Sequence, residues 1–187
     1  GLKEKWTVNS MLNDIQKKRL LEIARASIEN YIRNTPMDVL REDDPELLEE
    51  MGAFVTITLR GELRGCIGYI HRDKPICKVV SDMAIEAAFR DPRFPPVTES
   101  ELKDIRIEIS ALSEFKKVHN PNHIRVGVHG LMIRKGFCTG LLLPQVAVEH
   151  CWDRENFLVN TCCKAGLPPD ACERGAEIFV FTAEVFG

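Results

Sequence analysis

The sequence of 187 residues has no apolar run that approaches the roughly 18 residues of a membrane-spanning helix. It also contains no G-x-G-x-x-G, P-loop, H-E-x-x-H or G-x-S-x-G pattern. The usual sequence evidence for a dinucleotide-binding enzyme, an NTPase, a zincin or an α/β-hydrolase is therefore missing. Aromatic residues make up only 7% of the chain and the net charge is -3, so the composition shows no basic, aromatic-rich surface for nucleic acid.

Cysteine usage bears on the redox environment and on metal binding. The count of seven means that at least one thiol is unpaired in a monomer: Cys66, Cys77, Cys138, Cys151, Cys162, Cys163 and Cys172. No two of them stand in C-x-x-C spacing, so a structural zinc site has little support and we predict no metal. No secretory signal pattern opens the sequence, and we expect a reducing cytoplasm. The adjacent Cys162 and Cys163 fall in a helical pattern, which predicts two small buried side chains.

The first part of the chain predicts a helix, a hairpin, a second helix and a strand. Apolar residues recur at steps of three and four over residues 14 to 34, and Pro36 ends this first helix. Two strand patterns then flank Gly61, where a tight hairpin needs a residue that tolerates positive φ. A second helix is predicted over about 76 to 90. Alternation of isoleucine with polar residues predicts a strand over 105 to 112.

The order of hairpin, helix and strand then returns. The stretch from 130 to 143 is again a hairpin pattern, centred on Gly136. One broken helix or two short helices follow Pro144, with Gly166 as the C-cap. An apolar strand over 177 to 186 closes the pattern.

These two repeats, at about 53 to 112 and 125 to 186, indicate the fold class. Hairpins imply antiparallel pairing, so the pattern favours an α+β fold. We expect one domain over residues 1 to 187, in which both repeats share one curved, barrel-like, mainly antiparallel sheet with the helices outside.

The stretch L-R-G-C-I-G at residues 63 to 68 suggests a site. In a strand, Arg64, Cys66 and Gly68 share one face, so Gly68 leaves an empty position beside the thiol. Gly65, on the other face, allows a helix or backbone to pack closely. Arg64 can favour the thiolate and bind an anionic group. The alternative is an inert core cysteine, with Gly68 easing a bulge or a barrel corner.

Two further segments supply polar side chains. Gln145 and Glu149 are four residues apart on a predicted helix, and Glu149 can act in acid/base chemistry, although such pairs also occur on plain solvated faces. Asp91 and Arg93 flank a proline in a rigid loop that either walls a site or only turns the chain. Basic residues with Phe94 in the same loop can bind single-stranded nucleic acid, which the composition supports only weakly.

Four motifs together resemble the AMMECR family, named after a human chromosomal region linked to Alport syndrome, midface hypoplasia and elliptocytosis. The likeness runs from about residue 14 to 186 and includes the family's hallmark L-R-G-C-I-G. The motifs are "LRGCIG" (63–68), "FRDPRFPPVT" (89–98), "GLLLPQVAVEHCWDRENFL" (140–158) and "CCKAGLP" (162–168).

The resemblance implies a larger and a smaller lobe, two related units and a single barrel-like sheet. It implies no particular reaction or cofactor and assigns no role to a residue. It does imply partners among Memo-family and radical-SAM proteins, in a pathway that modifies a nucleic-acid base or another biomolecule.

The leading interpretation is an enzyme or enzyme component that binds its substrate in a cleft walled by the L-R-G-C-I-G strand. We predict Cys66 and Glu149 as catalytic residues. The predicted substrate-binding residues are Arg64, Gly65, Gly68, Gln145, Asp91 and Arg93. The alternative is a non-catalytic module that binds nucleic acid or a partner protein, in which L-R-G-C-I-G is a structural element.

Overall fold

The computed structural model describes residues 11–37 and 41–187, which form an α+β fold. The chain divides into two compact units, a larger one of residues up to Ala111 with Glu184–Gly187, and a smaller one of Leu112–Ala183. The elements in chain order are α1 (Asp14–Ile32), β1 (Ala53–Leu59), β2 (Glu62–Tyr69), α2 (Ile76–Phe89), β3 (Ile105–Leu112), β4 (Lys116–Val118), β5 (Gly130–Lys135), β6 (Cys138–Leu142), α3 (Pro144–Glu149), α4 (Arg154–Lys164), β7 (Glu177–Phe181) and β8 (Ala183–Phe186).

The larger unit contains a four-stranded sheet in the order β2-β1-β3-β8. β1 pairs antiparallel with both β2 and β3, and its alternate residues Ala53, Val55 and Ile57 are fully buried. α2 packs against β1 and β2, and α1 packs against α2. This period-2 burial gives the sheet an inner face against the helices and an outer face that carries Thr56.

The smaller unit contains a second four-stranded sheet in the order β4-β7-β5-β6. α4 packs against β5 and β6, and Phe157 of this helix is fully buried in the core of the unit. The chain order β5, β6, helices, β7 repeats the order β1, β2, α2, β3 of the larger unit, so the predicted repeat of hairpin, helix and strand is confirmed.

The expectation of one shared barrel-like sheet is wrong for the residues that the structure describes, because they form two separate sheets that both run in open order. The predicted closing strand over 177 to 186 breaks at Thr182. There the Thr182 N–H donates to Ser113 Oγ at 2.8 Å, and the Ser113 N–H donates to the Thr182 carbonyl at 2.9 Å. β7 therefore belongs to the second sheet, whereas β8 forms an edge of the first.

The helices within residues 11–37 and 41–187 include none that is both long enough and apolar enough to cross a membrane.

Candidate functional site

The hairpin of β1 and β2 fixes the position of Cys66. Its two turn residues, Arg60 and Gly61, have φ angles of 54° and 86°, and a two-residue turn with positive φ at both positions matches the twist of paired strands. Counting back from this turn pairs Thr56 with Gly65. The register shifts between Ile57 and Thr58, however, so Thr56 lies opposite Cys66. The bulge thus places a hydroxyl directly across from the thiol.

At Cys66 the backbone of β2 bonds to a loop instead of to β1. The Cys66 N–H donates to Asp91 Oδ2 at 3.0 Å, and Arg93 Nη2 donates to the Cys66 carbonyl at 3.3 Å. Both groups belong to the segment Asp91–Glu101, which follows α2 and which we call the clamp loop. β2 is an edge strand, and the clamp loop satisfies its open backbone groups at the position of the thiol.

Asp91 and Arg93 form the inner part of the clamp loop. Arg93 Nε and Nη2 donate to the two oxygens of Asp91 at 3.0 and 2.7 Å. These bonds, together with the Cys66 N–H, hold the pKa of Asp91 well below its usual range although burial opposes them. The Asp91 side chain is only 1% exposed, whereas that of Arg93 is 54% exposed. Arg93 Nη1 makes no hydrogen bond in the part of the chain that the structure describes, and the guanidinium lies 5.4 Å from the centroid of the Phe94 ring.

Arg64 holds the outer part of the clamp loop. The bulge leaves Arg64 without a cross-strand partner on β1. The alternation of side chains along a regular strand, which predicted that Arg64 and Cys66 share one face, therefore does not apply between them. The Arg64 guanidinium donates to both oxygens of Glu101, at 2.9 and 3.2 Å, and to the carbonyls of Pro95 and Pro96. The hydrogen bonds from Arg64 lower the pKa of Glu101 to about 2. All three guanidinium nitrogens are engaged within the protein, so an anion at Arg64 would have to displace Glu101.

The close packing predicted at Gly65 is confirmed. A Cβ at this position would overlap the carbonyl oxygen of Ala87, so α2 lies directly against the backbone of β2. Ala87 is fully buried, and the contact brings the end of α2 and the start of the clamp loop next to Cys66. Gly65 therefore positions the site through packing.

Gly68 does not leave the empty niche that strand alternation predicted. A Cβ at Gly68 would overlap the ring of Phe54, its cross-strand partner. The aromatic side chain covers the glycine, so the protein itself fills the space beside the thiol.

The Cys66 thiol remains half-buried on the outer face of the sheet. Its Sγ lies 3.2 Å from Thr56 Oγ1, so the sulfur has a polar neighbour and is not sealed in apolar packing. Glu108 lies on the other side of Thr56 in the register of β3. The row Cys66, Thr56 and Glu108 thus places a thiol, a hydroxyl and a carboxylate side by side across three strands.

The second predicted group, Gln145 and Glu149, lies on the short helix α3 of the smaller unit. Gln145 is half-buried and Glu149 is exposed. His150, next in the chain, stacks on Trp152 with ring centroids 4.7 Å apart. The acid/base role of Glu149 stays a prediction.

Two residues of the site were missed by the sequence interpretation. Glu101 had a signal, because Thr98 and Glu101 stand in capping-box spacing, and the Thr98 N–H donates to Glu101 at 2.7 Å. Thr56 had none, since the bulge that pairs it with Cys66 leaves no trace in the sequence. Within the described ranges, no three His, Cys, Asp or Glu side chains converge as a metal site would require.

Comparison with known proteins covers nearly the whole chain. The AMMECR1 family profile matches residues 21–186. The protein Mbar_A1807 of Methanosarcina barkeri is 43% identical, in an alignment that covers 94% of this chain and 92% of that protein. The protein PF1979 of Pyrococcus furiosus is 44% identical, in an alignment that covers 89% of this chain and 85% of that protein.

A solved structure gives the same result for the fold. The crystal structure of the uncharacterized protein PH0010 from Pyrococcus horikoshii superimposes with a TM-score of 0.87 at 38% sequence identity, covering 94% of this chain and 92% of that one. The family profile and the relatives together show that the chain belongs to the AMMECR1 family.

Proposed function

We propose that this protein binds an anionic substrate group at the outer face of β2, as an enzyme or as the substrate-binding component of one, with Cys66 as the reacting thiol. One observation carries the proposal. The backbone of Cys66 is anchored through both its N–H and its carbonyl, while the residue is only half-buried and its thiol lies beside Thr56. A fixed backbone with an accessible side chain is the arrangement that a reacting group needs.

Arg93 is the residue that supports an anionic substrate. It bonds the backbone carbonyl of the residue that carries the thiol, and its side chain is half-exposed, with Nη1 in no hydrogen bond to the residues that the structure describes. A planar guanidinium binds carboxylate and phosphate well. The anion-binding role that the sequence assigned to Arg64 is therefore proposed for Arg93.

The chemistry proposed for Cys66 is nucleophilic attack. The sulfur would add to the carbon of a carbonyl in the bound group as its own proton leaves to solvent. The π electron pair of the carbonyl would move to its oxygen, which takes up a proton from water, and Thr56 would orient the lone pairs of the sulfur. The substrate-binding role of Gln145, the catalytic role of Glu149, and the partnership with Memo-family and radical-SAM proteins in a modification pathway are separate proposals that need measurements of their own.

The second candidate is a non-catalytic binding module. It is favoured by the packing of the motif, since Gly65 contacts Ala87, Gly68 is covered by Phe54, and Arg64 bonds the clamp loop. In this case L-R-G-C-I-G stabilises the fold and the thiol is incidental. If the module binds nucleic acid, replacement of Arg93 and Phe94 should abolish salt-dependent binding of single-stranded RNA, whereas Cys66→Ala should retain that binding.

Competing alkylation tests the two candidates. The experiment uses a variant that keeps Cys66 and replaces the other six cysteines. The rates at which anionic iodoacetate and neutral iodoacetamide alkylate Cys66 are measured in the folded protein and in the protein unfolded by urea. The proposal predicts that folding raises the ratio of iodoacetate to iodoacetamide rates several-fold. Arg93→Gln should remove this increase, and Arg72→Gln, an exposed control, should keep it.

The neutral reagent monitors the local geometry in the same variants. An unchanged iodoacetamide rate in Arg93→Gln shows that the thiol has kept its environment. If folding leaves the ratio at or below its value in urea, and Arg93→Gln has no effect on it, the anion site at Cys66 is wrong and the binding module is favoured.

A further inference from the structure

Two cysteines of the smaller unit lie in contact, and neither has a role in the proposed function. Cys162 Sγ and Cys172 Sγ are 3.3 Å apart, ten residues apart in the chain. From this contact we propose that Cys162 and Cys172 form an intrachain disulfide when the protein meets a low-molecular-weight disulfide oxidant. The pair is a redox modification site independent of Cys66.

The fold explains why these two sulfurs meet. Cys162 lies on α4 and is fully buried in the core of the unit. After α4 the chain reverses at Gly166, whose φ is 72°, and the Leu167 N–H donates to the Cys162 carbonyl at 3.0 Å. This reversal sends the following turns, residues 165–176, back over the helix, and we call them the return segment.

Short-range backbone bonds hold the return segment in place. The Ala171 N–H donates to the Pro168 carbonyl at 3.0 Å, and the Ala176 N–H donates to the Ala171 carbonyl at 3.0 Å. Ala171 is buried and Cys172 is half-buried against the same core. The geometry thus brings Cys172 to Cys162 and leaves Cys172 the less buried of the two residues.

The sulfurs need little movement to bond. A disulfide bond is about 2.05 Å long, so from 3.3 Å the two sulfurs have to approach each other by only roughly 1 Å. Cys163, the neighbour of Cys162 on α4, is exposed and so differs from the predicted pair of buried cysteines. It lies one residue away on a helix, on a different face, and it provides a matched control.

The reaction is two successive thiol–disulfide exchanges with oxidised glutathione. Cys172, the less buried of the two residues, loses its proton and attacks one sulfur of the oxidant, and the first glutathione leaves as a thiolate that takes up that proton. Cys162 then loses its proton and attacks the Cys172 sulfur, which releases the second glutathione. Two protein thiols are oxidised, and one glutathione disulfide is reduced to two thiols.

The same packing slows the first step. Burial, followed by the neighbouring Cys162 thiol, raises the pKa of Cys172 to about 12. Few Cys172 thiolates exist at neutral pH, so we expect the first exchange with glutathione to be slow. The second exchange should follow readily, because the Cys162 thiol is already in contact with Cys172.

The bridge would tie the return segment to α4. A covalent loop of about ten residues restricts the unfolded chain, so we expect the oxidised protein to unfold at a temperature on the order of 5 °C higher than the reduced protein.

The experiment treats the full-length protein with oxidised glutathione, blocks the remaining thiols under denaturing conditions and maps the peptides by mass spectrometry. We expect a single cross-linked peptide pair that joins Cys162 to Cys172. Its mass should be lower by two hydrogens than the summed mass of the two reduced peptides. Cys172→Ala and Cys162→Ala should abolish this pair and the rise in unfolding temperature, whereas Cys163→Ala should keep both.

Three outcomes overturn the proposal. One is full alkylation of both thiols after prolonged exposure to the oxidant. Another is a stable mixed disulfide at Cys172 that never resolves. The third is a bridge through Cys163 in place of Cys162. Mapping of the unmutated protein distinguishes all three, so the test does not depend on how well the variants fold, and none of them bears on Cys66.

Discussion

The Asp91 carboxylate accepts the backbone N–H of Cys66 at 3.0 Å, across 25 residues of sequence. Arg93 closes the arrangement by donating to both oxygens of Asp91 and to the Cys66 carbonyl. An ion pair thus takes the place that a neighbouring strand would occupy at the edge of the sheet. The position of the thiol depends on these two side chains of the clamp loop.

Asp91→Asn should destabilise the protein by about 1–3 kcal/mol at pH 7, because a nearly buried carboxylate loses its charge beside Arg93. Urea unfolding measures this loss. Asp82→Asn, which breaks the more exposed ion pair with Lys78, is the control and should cost less than about 0.5 kcal/mol. Equal losses in the two variants would contradict the importance of the clamp.

The effect of Asp91→Asn should also depend on pH. The hydrogen bonds from Arg93 hold the pKa of Asp91 below its usual range, so folding favours the ionised form. This stabilisation is present above the unfolded-state pKa of about 3.9 and is lost as the pH falls through the lower folded-state pKa. The difference in unfolding free energy between wild type and variant should therefore shrink from pH 5 to pH 2. A constant difference would mean that the charge is not its cause.

Gly65→Ala should be one of the most damaging single-methyl changes in the chain, since the added Cβ overlaps the Ala87 carbonyl and neither backbone can easily move. We expect a loss of about 2–3 kcal/mol in urea unfolding. Gly136→Asn is the control, because its position has open space and a φ of 59°, which asparagine tolerates. A loss for Gly65→Ala no larger than for the control would show that α2 can shift.

The sequence predicted the local elements better than the contacts between them. Gly61 marked the hairpin and the isoleucine alternation marked β3, because turn geometry and one-sided burial are local properties. Asp91 was identified as a loop residue, yet its bond to Cys66 depends on the tertiary path of the clamp loop. The bulge beside Arg64 and the break at Thr182 are set by cross-strand pairing, which the period of a pattern does not encode.

Gly68→Ala should be less damaging than Gly65→Ala, because its Cβ meets the ring of Phe54, a side chain that can rotate. We expect about 1 kcal/mol. Phe54→Leu should relieve most of that loss in the double variant, so the two changes should be strongly non-additive in urea unfolding. Additive effects would indicate that Gly68 is required by its backbone and not by the ring.

Arg64 and Glu101 should show a coupling that disappears in acid. The bidentate pair is largely buried, with side-chain exposures of 11% and 21%, and the double-mutant cycle of Arg64→Gln and Glu101→Gln should give a coupling free energy of about 1–2 kcal/mol at pH 7. The pKa of Glu101 is lowered to about 2 by its bonds to Arg64, so the coupling is present above the unfolded-state pKa of about 4.3 and fades as the pH falls towards 2. Glu99→Gln, an exposed change in the same turn, is the control and should show no coupling with Arg64→Gln. If the Arg64–Glu101 coupling persists unchanged at pH 2, the carbonyl bonds to Pro95 and Pro96 hold the clamp loop, and the carboxylate is dispensable.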